Sequence, residues 1–183
     1  MKRILVLDGS QRPNGNTEML TSHVLDDIEH AKVYLRELGI RPINDQRHAE
    51  GGFTPVNDEH DNLIEEIINS DIIVFSTPIY WYGMSGVMKN TVDRFSQALR
   101  NERFDLKNKL AGKEVYVVAC GGDNPRLKGL PLIQQFQYIC DFLGMNMLDY
   151  LIGQAVKPGE ILDDVRAIQD AQSLNTKIKE SMK

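Results

Sequence analysis

The chain has 183 residues, 42% hydrophobic and 26% charged, with 21 Lys and Arg against 26 Asp and Glu for a formal net charge of −5. That length fits one domain, residues 1–183, with a sizeable core. The acidic balance speaks against broad nucleic-acid or anionic-membrane binding, both of which favour basic surfaces.

Taken in chain order, Arg3–Asp8 is a short apolar run of the kind buried on both faces of a parallel sheet. Gly9–Thr17 follows as a polar loop, and Met19, Leu20, His23, Val24 and Ile28 then recur at helical spacing, with Asn16 or Thr17 placed to cap the first turn. Ala31–Leu35 reads as a second strand, and Arg41–Asn57 as an irregular loop longer than compact domains usually carry. Leu63, Ile64, Ile67 and Ile68 mark a second helix that starts near Asp58 or Asp61. Asp71–Thr77 is a third strand and Ser85–Leu99 a third helix. Glu114–Cys120 is a fourth strand ending at Gly121-Gly122, followed by a helix around Leu132–Leu143. Met145–Val156 is a fifth strand with its exit, and a weakly amphipathic helix fills the chain from about Gly159. Strands alternating with helices imply a parallel sheet covered on both faces, with ligands beyond the carboxyl ends of the strands.

The loops after the first, third and fourth strands carry the chemistry. In the first, Ser10 and Thr17 offer hydroxyls, Asn14 and Asn16 amide donors and Arg12 a charge, while Gly9 and Gly15 permit a tight backbone path. N–H groups and hydroxyls gathered at a helix N-terminus bind phosphate. Neither GxxxxGK[ST] nor GxGxxG is present, which lowers the odds of a nucleoside triphosphate or a dinucleotide held by its pyrophosphate. The second loop, Pro78-Ile79-Tyr80-Trp81-Tyr82-Gly83, supplies three consecutive aromatics that cannot all bury inward, so at least one faces a ligand or another subunit. Its backbone N–H groups suit the polar edge of a flavin ring, where negative charge develops on reduction. The third, Gly121-Gly122-Asp123-Asn124-Pro125, lets backbone approach the same ligand. Phosphate at one strand end and an aromatic ring at the next point to a mononucleotide, and flavin mononucleotide (FMN) fits best.

The remaining residues are less eventful. Cys120 and Cys140 form no CxxC pattern and read as buried, reduced thiols. His23, His30, His48 and His60 show no metal-ligand spacing, so no metal is expected, and His23 reads as a structural residue on an apolar helix face. Arg126 and Lys128 read as solvated surface beside a possible nicotinamide entry. No apolar run spans a membrane, and the apolar start ends at Asp8 without a cleavage pattern, so the expected location is the cytoplasm.

Together these residues resemble the NADPH-dependent FMN reductase group of the flavodoxin-like superfamily. Gly9-Ser10-x-Arg12-x-x-Gly15-Asn16-Thr17 is similar to its phosphate loop, and Ser76–Gly86, continuing through Met88-Lys89 to Asp93-Arg94, to its flavin-ring loop and following helix. The resemblance extends to about Val156. It implies a three-layer α/β sandwich around a five-stranded parallel sheet of order 2-1-3-4-5, bound FMN, and homodimers or homotetramers with flavin near the interface. Iron–sulfur flavoproteins are also similar, but the stretch Ile43–Phe53, where they ligate a cluster, contains no cysteine here. The Arg41–Asn57 loop instead covers the flavin or builds a subunit contact. Some members of the group are labelled tryptophan-repressor-binding proteins, yet nothing here has the charge or motif of a DNA partner.

The expected activity is an FMN-dependent NAD(P)H oxidoreductase. NADH or NADPH is the co-substrate, and a quinone, free flavin, azo compound or nitroaromatic is the small-molecule acceptor. Ser10, Arg12, Asn14, Gly15, Asn16 and Thr17 are expected to hold the phosphate, Pro78 to Gly83 the ring, and Gly121, Gly122 and Asp123 to close the far side. No protein acid or base is assigned, because hydride transfer through a flavin needs none. The alternatives are a flavodoxin-type electron carrier not reduced by NAD(P)H, and a binding module that has lost its cofactor.

Overall fold

The computed structural model describes residues 2–182. Strands β1 (Ile4–Asp8), β2 (Ala31–Tyr34), β3 (Ile72–Pro78), β4 (Glu114–Gly121) and β5 (Asn146–Gln154) pair in parallel in the order β2-β1-β3-β4-β5. Every residue of β1 and β3 is buried, which is why these strands read as continuous apolar runs. Alternate side chains enter two cores. On one face Leu5, Leu7, Ile73, Phe75, Val115 and Val117 pack against helices α2 (His60–Ile68), α3 (Gly86–Ala98), α4 (Leu106–Leu110) and α6 (Leu130–Leu143). On the other, Ile4, Val6, Val74, Tyr116 and Val118 meet α1 (Asn16–Val24) and α7 (Val165–Ser181). The one-turn helix α5 (Pro125–Lys128) follows the exit of β4. Among the described residues no helix is long and apolar enough to cross a membrane.

Several local expectations change. Neither Asn16 nor Thr17 caps α1: both lie inside it, and its N-cap is Gly15, with no side-chain cap. The helix ends at Val24, so Ile28 reaches the core from the turn beyond it. His23 is exposed, not on the apolar face, because the stripe runs through Leu20 and Val24 instead. Leu35 opens a 3-10 turn after β2, and the short helices α4 and α5 had no counterpart in the sequence reading.

The 41–57 loop contains neither helix nor strand, as expected, but its two ends are clamped. Arg94 of α3, 1% exposed, pairs with Asp58 at 2.8 Å and also donates to the Arg41 carbonyl at 3.2 Å. Asp58 in turn accepts the Arg41 N–H at 3.0 Å. A buried ion pair satisfied by backbone partners holds where an isolated charge would not.

Candidate functional site

Because all five strands run the same way, their carboxyl ends share one edge, and the loops after β1, β3, β4 and β5 meet there. β1 closes on Asp8, fully buried, whose Oδ1 accepts the Ser10 N–H at 2.7 Å. Burial pushes the Asp8 carboxyl above its ordinary range, and its Oδ2 has no partner among the described residues. The Ser10 hydroxyl donates to the Arg12 carbonyl at 3.1 Å and turns the loop. The left-handed corner falls at Asn14 (φ 53°), not at a glycine, a conformation that Asn tolerates better than most residues. Gly9 and Gly15 serve space instead: a Cβ at either would lie 2.8 Å from the Ser85 or Ser10 hydroxyl oxygen, respectively.

With glycine at its N-cap and no side-chain acceptor, α1 leaves its first-turn N–H groups available to an external anion. Ser10, Arg12, Gly15, Asn16 and Thr17 all line the cleft in front of it. Asn16 is the exception to the expected chemistry. Its side-chain amide donates to the Lys157 carbonyl and accepts the Gly159 N–H, both at 2.9 Å, and so fastens the loop to the exit of β5. Its backbone and the second N–H of its amide are what remain for a ligand.

In the second loop the Ile79 N–H donates to the Cys120 carbonyl at 2.8 Å, and Tyr80 and Gly83 exchange two N–H···O bonds of 3.0 Å. The two residues between them, Trp81 (φ 48°) and Tyr82 (φ 64°), are both left-handed, the geometry of a two-residue hairpin turn that normally selects Asn-Gly. All three aromatics are exposed, and Trp81 almost completely, at 95%. Among the described residues the Trp81 and Tyr82 N–H groups have no partner within the chain. The Tyr82 hydroxyl donates to Asp123 at 3.0 Å, and Lys128 pairs with Asp123 at 2.7 Å, bridging the second and third loops. The hydrogen bonds from Lys128 and Tyr82 hold the Asp123 carboxyl below its usual range. Arg126 pairs with Asp164 at 2.7 Å and is partly buried, whereas Lys128 is exposed, as expected, while it pairs with Asp123.

Two adjoining clefts result. One, about 190 Å³, joins the first-loop residues to Pro78, Ile79 and Tyr80 and to Gly121 and Gly122. The other, about 210 Å³, carries Trp81, Tyr82 and Asp123 and shares Ile79, Gly121 and Gly122 with the first. Asn14 and Gly83 line neither: Asn14 is a loop corner and Gly83 closes the turn by pairing with Tyr80. Cys120, Ala155 and Val156 of the first cleft, and Lys128 and Gly129 of the second, were not expected there, whereas Pro125 belongs to the expected third loop. The parallel order was the available signal, since it also brings the β5 exit to this edge. Gly122 has no room for a side chain, as a Cβ would meet Val156 at 2.8 Å. Larger grooves of about 370 and 380 Å³ lie beside α7 and around Lys2 and His30, away from the converging loops. Both cysteines are buried and unpaired, with burial raising each thiol to about 12, so thiolate chemistry is not available at Cys120. Among the described residues no group of three or more His, Cys, Asp or Glu is placed to hold a metal.

An uncapped helix start beside Ser10, Thr17 and Arg12 fits a phosphate, and an aromatic-walled cleft contiguous with it fits a flat ring. FMN combines the two. The family model for NADPH-dependent FMN reductase matches residues 2–153. The chain belongs to this family. It is a flavodoxin-fold oxidoreductase of the FMN- and NAD(P)H-dependent class. The Bacillus subtilis protein YwqN, whose name describes an NAD(P)H-dependent FMN-containing oxidoreductase, is 47% identical over 94% of this chain and 96% of its own. An FMN-dependent NADH:quinone oxidoreductase of Bordetella bronchiseptica is 24% identical over 88% of this chain and 87% of its own. A solved structure named Trp repressor binding protein from Bacillus subtilis superposes with a TM-score of 0.80 at 44% identity, covering 94% and 99% of the two chains.

Proposed function

We propose that FMN binds with its phosphate at the start of α1 and its ring against Pro78–Gly83 and Gly121–Asp123, and that the chain, a single domain over 1–183, passes hydride from NADH or NADPH to a small acceptor. The observation that carries this reading is the continuity of the two clefts through Ile79, Gly121 and Gly122. FMN, when bound, supplies the hydride acceptance and donation. The protein's own groups bind and orient. Ser10, Arg12, Thr17 and the backbone of Gly15 and Asn16 hold the phosphate, with Asn14 shaping their loop. The Trp81 and Tyr82 N–H groups face the polar edge of the ring, where preorganised donors favour developing negative charge. The exposed Tyr80, Trp81 and Tyr82 leave one side of the cleft open for nicotinamide and then acceptor in turn. Quinones, flavins, azo compounds and nitroaromatics share the flatness this opening suits.

The same exposed ring, with Leu127 and Leu130 nearby on α5 and α6, suits cover by a second copy in a homodimer or homotetramer. Two unpaired, buried cysteines accord with a reducing, cytoplasmic setting. Turnover tests the reading: NADH or NADPH consumption by the FMN-loaded protein rises with added quinone or azo dye. Consumption no faster than with free FMN alone supports the electron-carrier alternative instead.

A further inference from the structure

Beneath the phosphate loop lies a cluster that the cofactor reading does not use. Glu18, in the first turn of α1, is 8% exposed although it is charged. Its Oε2 accepts the Asn14 N–H at 2.8 Å, and its Oε1 accepts the Tyr34 hydroxyl at 3.0 Å with the Lys32 ammonium 3.8 Å away. Arg36 donates to the Ser10 carbonyl at 3.4 Å, and its guanidinium lies 4.2 Å from the centre of the Tyr34 ring. Lys32, Tyr34 and Arg36 thus project at every second position from the β2 edge and the turn after it. Lys32 and Tyr34 pair in register with Val6 and Asp8, on the sheet face that α1 covers. Asp8 completes the set from β1 by accepting the Ser10 N–H.

Two carboxyl groups therefore take up N–H groups at both ends of the loop, on Ser10 and Asn14. From behind, Lys32 and Tyr34 of β2 hold Glu18, and Arg36 of the following turn holds the Ser10 carbonyl. A carboxylate that accepts two hydrogen bonds and faces an ammonium is fixed in place, and it fixes the backbone it binds. The left-handed Asn14 and the adjoining Gly15 N-cap depend on that anchor, and so does the direction of the α1 N–H groups.

We propose that Glu18, held by Tyr34 and Lys32, is the positioning residue of the phosphate loop, and that this buttress confers preference for FMN over riboflavin. The proposal rests on the cofactor reading above. It assigns the edge strand β2, which does not line the cleft, a part in cofactor selection. The acceptor oxygen matters more than the charge, because the Asn14 N–H needs only a partner.

Apoprotein titrated with FMN and with riboflavin, followed by flavin fluorescence, tests it. Glu18→Leu should weaken FMN binding by about tenfold, the scale of one misplaced hydrogen-bond donor, and riboflavin binding by less than about twofold. Glu18→Gln, which keeps an acceptor, should stay within about threefold of wild type for FMN. Tyr34→Phe removes only the hydroxyl and provides the test if Glu18→Leu does not fold; it should weaken FMN selectively by about threefold. An FMN-to-riboflavin ratio unchanged in Tyr34→Phe and Glu18→Leu overturns the buttress while the cofactor reading stands. A wild-type chain that binds neither flavin overturns both.

Discussion

His60 opens α2 with none of its side chain exposed and, among the described residues, no hydrogen-bond partner for either ring nitrogen. Burial, and then the neighbouring Arg94 guanidinium, lower its pKa to about 4, against the weaker upward pull of Asp61 and Asp58. The ordinary value is 6.5, so the unfolded chain takes up this proton before the folded one does. Stability from this group is therefore intact above pH 6.5 and falls as pH drops towards about 4, by about 3 kcal/mol in all. Asp58 acts in the same direction at lower pH. Despite burial, its bonds from Arg94, Arg41 and His60 hold its carboxyl below the ordinary 3.8, and that contribution disappears as pH falls through the folded value. Denaturant titrations at stepped pH should show the loss between pH 6.5 and 4 in wild type and a flatter profile in His60→Met. Parallel profiles would remove His60 as the cause. None of this was legible in the sequence, where Glu59-His60-Asp61 reads as the polar head of a helix and Arg94 lies far along the chain. The ties of the Asn16 amide were illegible for the same reason, since its partners at 157–159 become neighbours only after β5 is in place.

At the scale of elements, the Tyr80–Gly83 turn departs most from local preference. L-residues in the left-handed region cost about 1–2 kcal/mol each, and strain of this kind concentrates at functional sites. Trp81 is 95% exposed and gains little packing in return. Trp81→Gly should therefore stabilise the apoprotein by about 1 kcal/mol in denaturant titrations, while raising KM for NAD(P)H or the acceptor by removing a wall of the ring cleft. Lower stability would mean that the indole packs in solution. The central strands β1, β3 and β4 were legible because their buried runs are largely apolar, and the long helices because their stripes are periodic. Element ends were less so. The N-cap of α1 is Gly15, a residue that ranks just below Asn, Asp and Ser at such positions, and a Cβ there would lie 2.8 Å from the Ser10 hydroxyl oxygen.

For the molecule as a whole, parallel order turns three separate sequence signals into one site. The loops after β1, β3 and β4 are far apart in the chain but share an edge of the sheet, and that convergence was predictable from strand–helix alternation alone. What alternation cannot show is how the loops are tied to one another: Tyr82 and Lys128 through Asp123, and Asn16 to the β5 exit. The central claim is that these tied loops hold FMN where NAD(P)H can reduce it directly. The measurement that tests it most directly is the visible absorption of the FMN-loaded, desalted protein on anaerobic addition of NADH and, separately, NADPH. Retained flavin whose absorption bleaches promptly with at least one of them is the predicted result. Flavin that is retained but stays oxidised with both, or flavin lost on desalting with no binding at high FMN, would contradict the account.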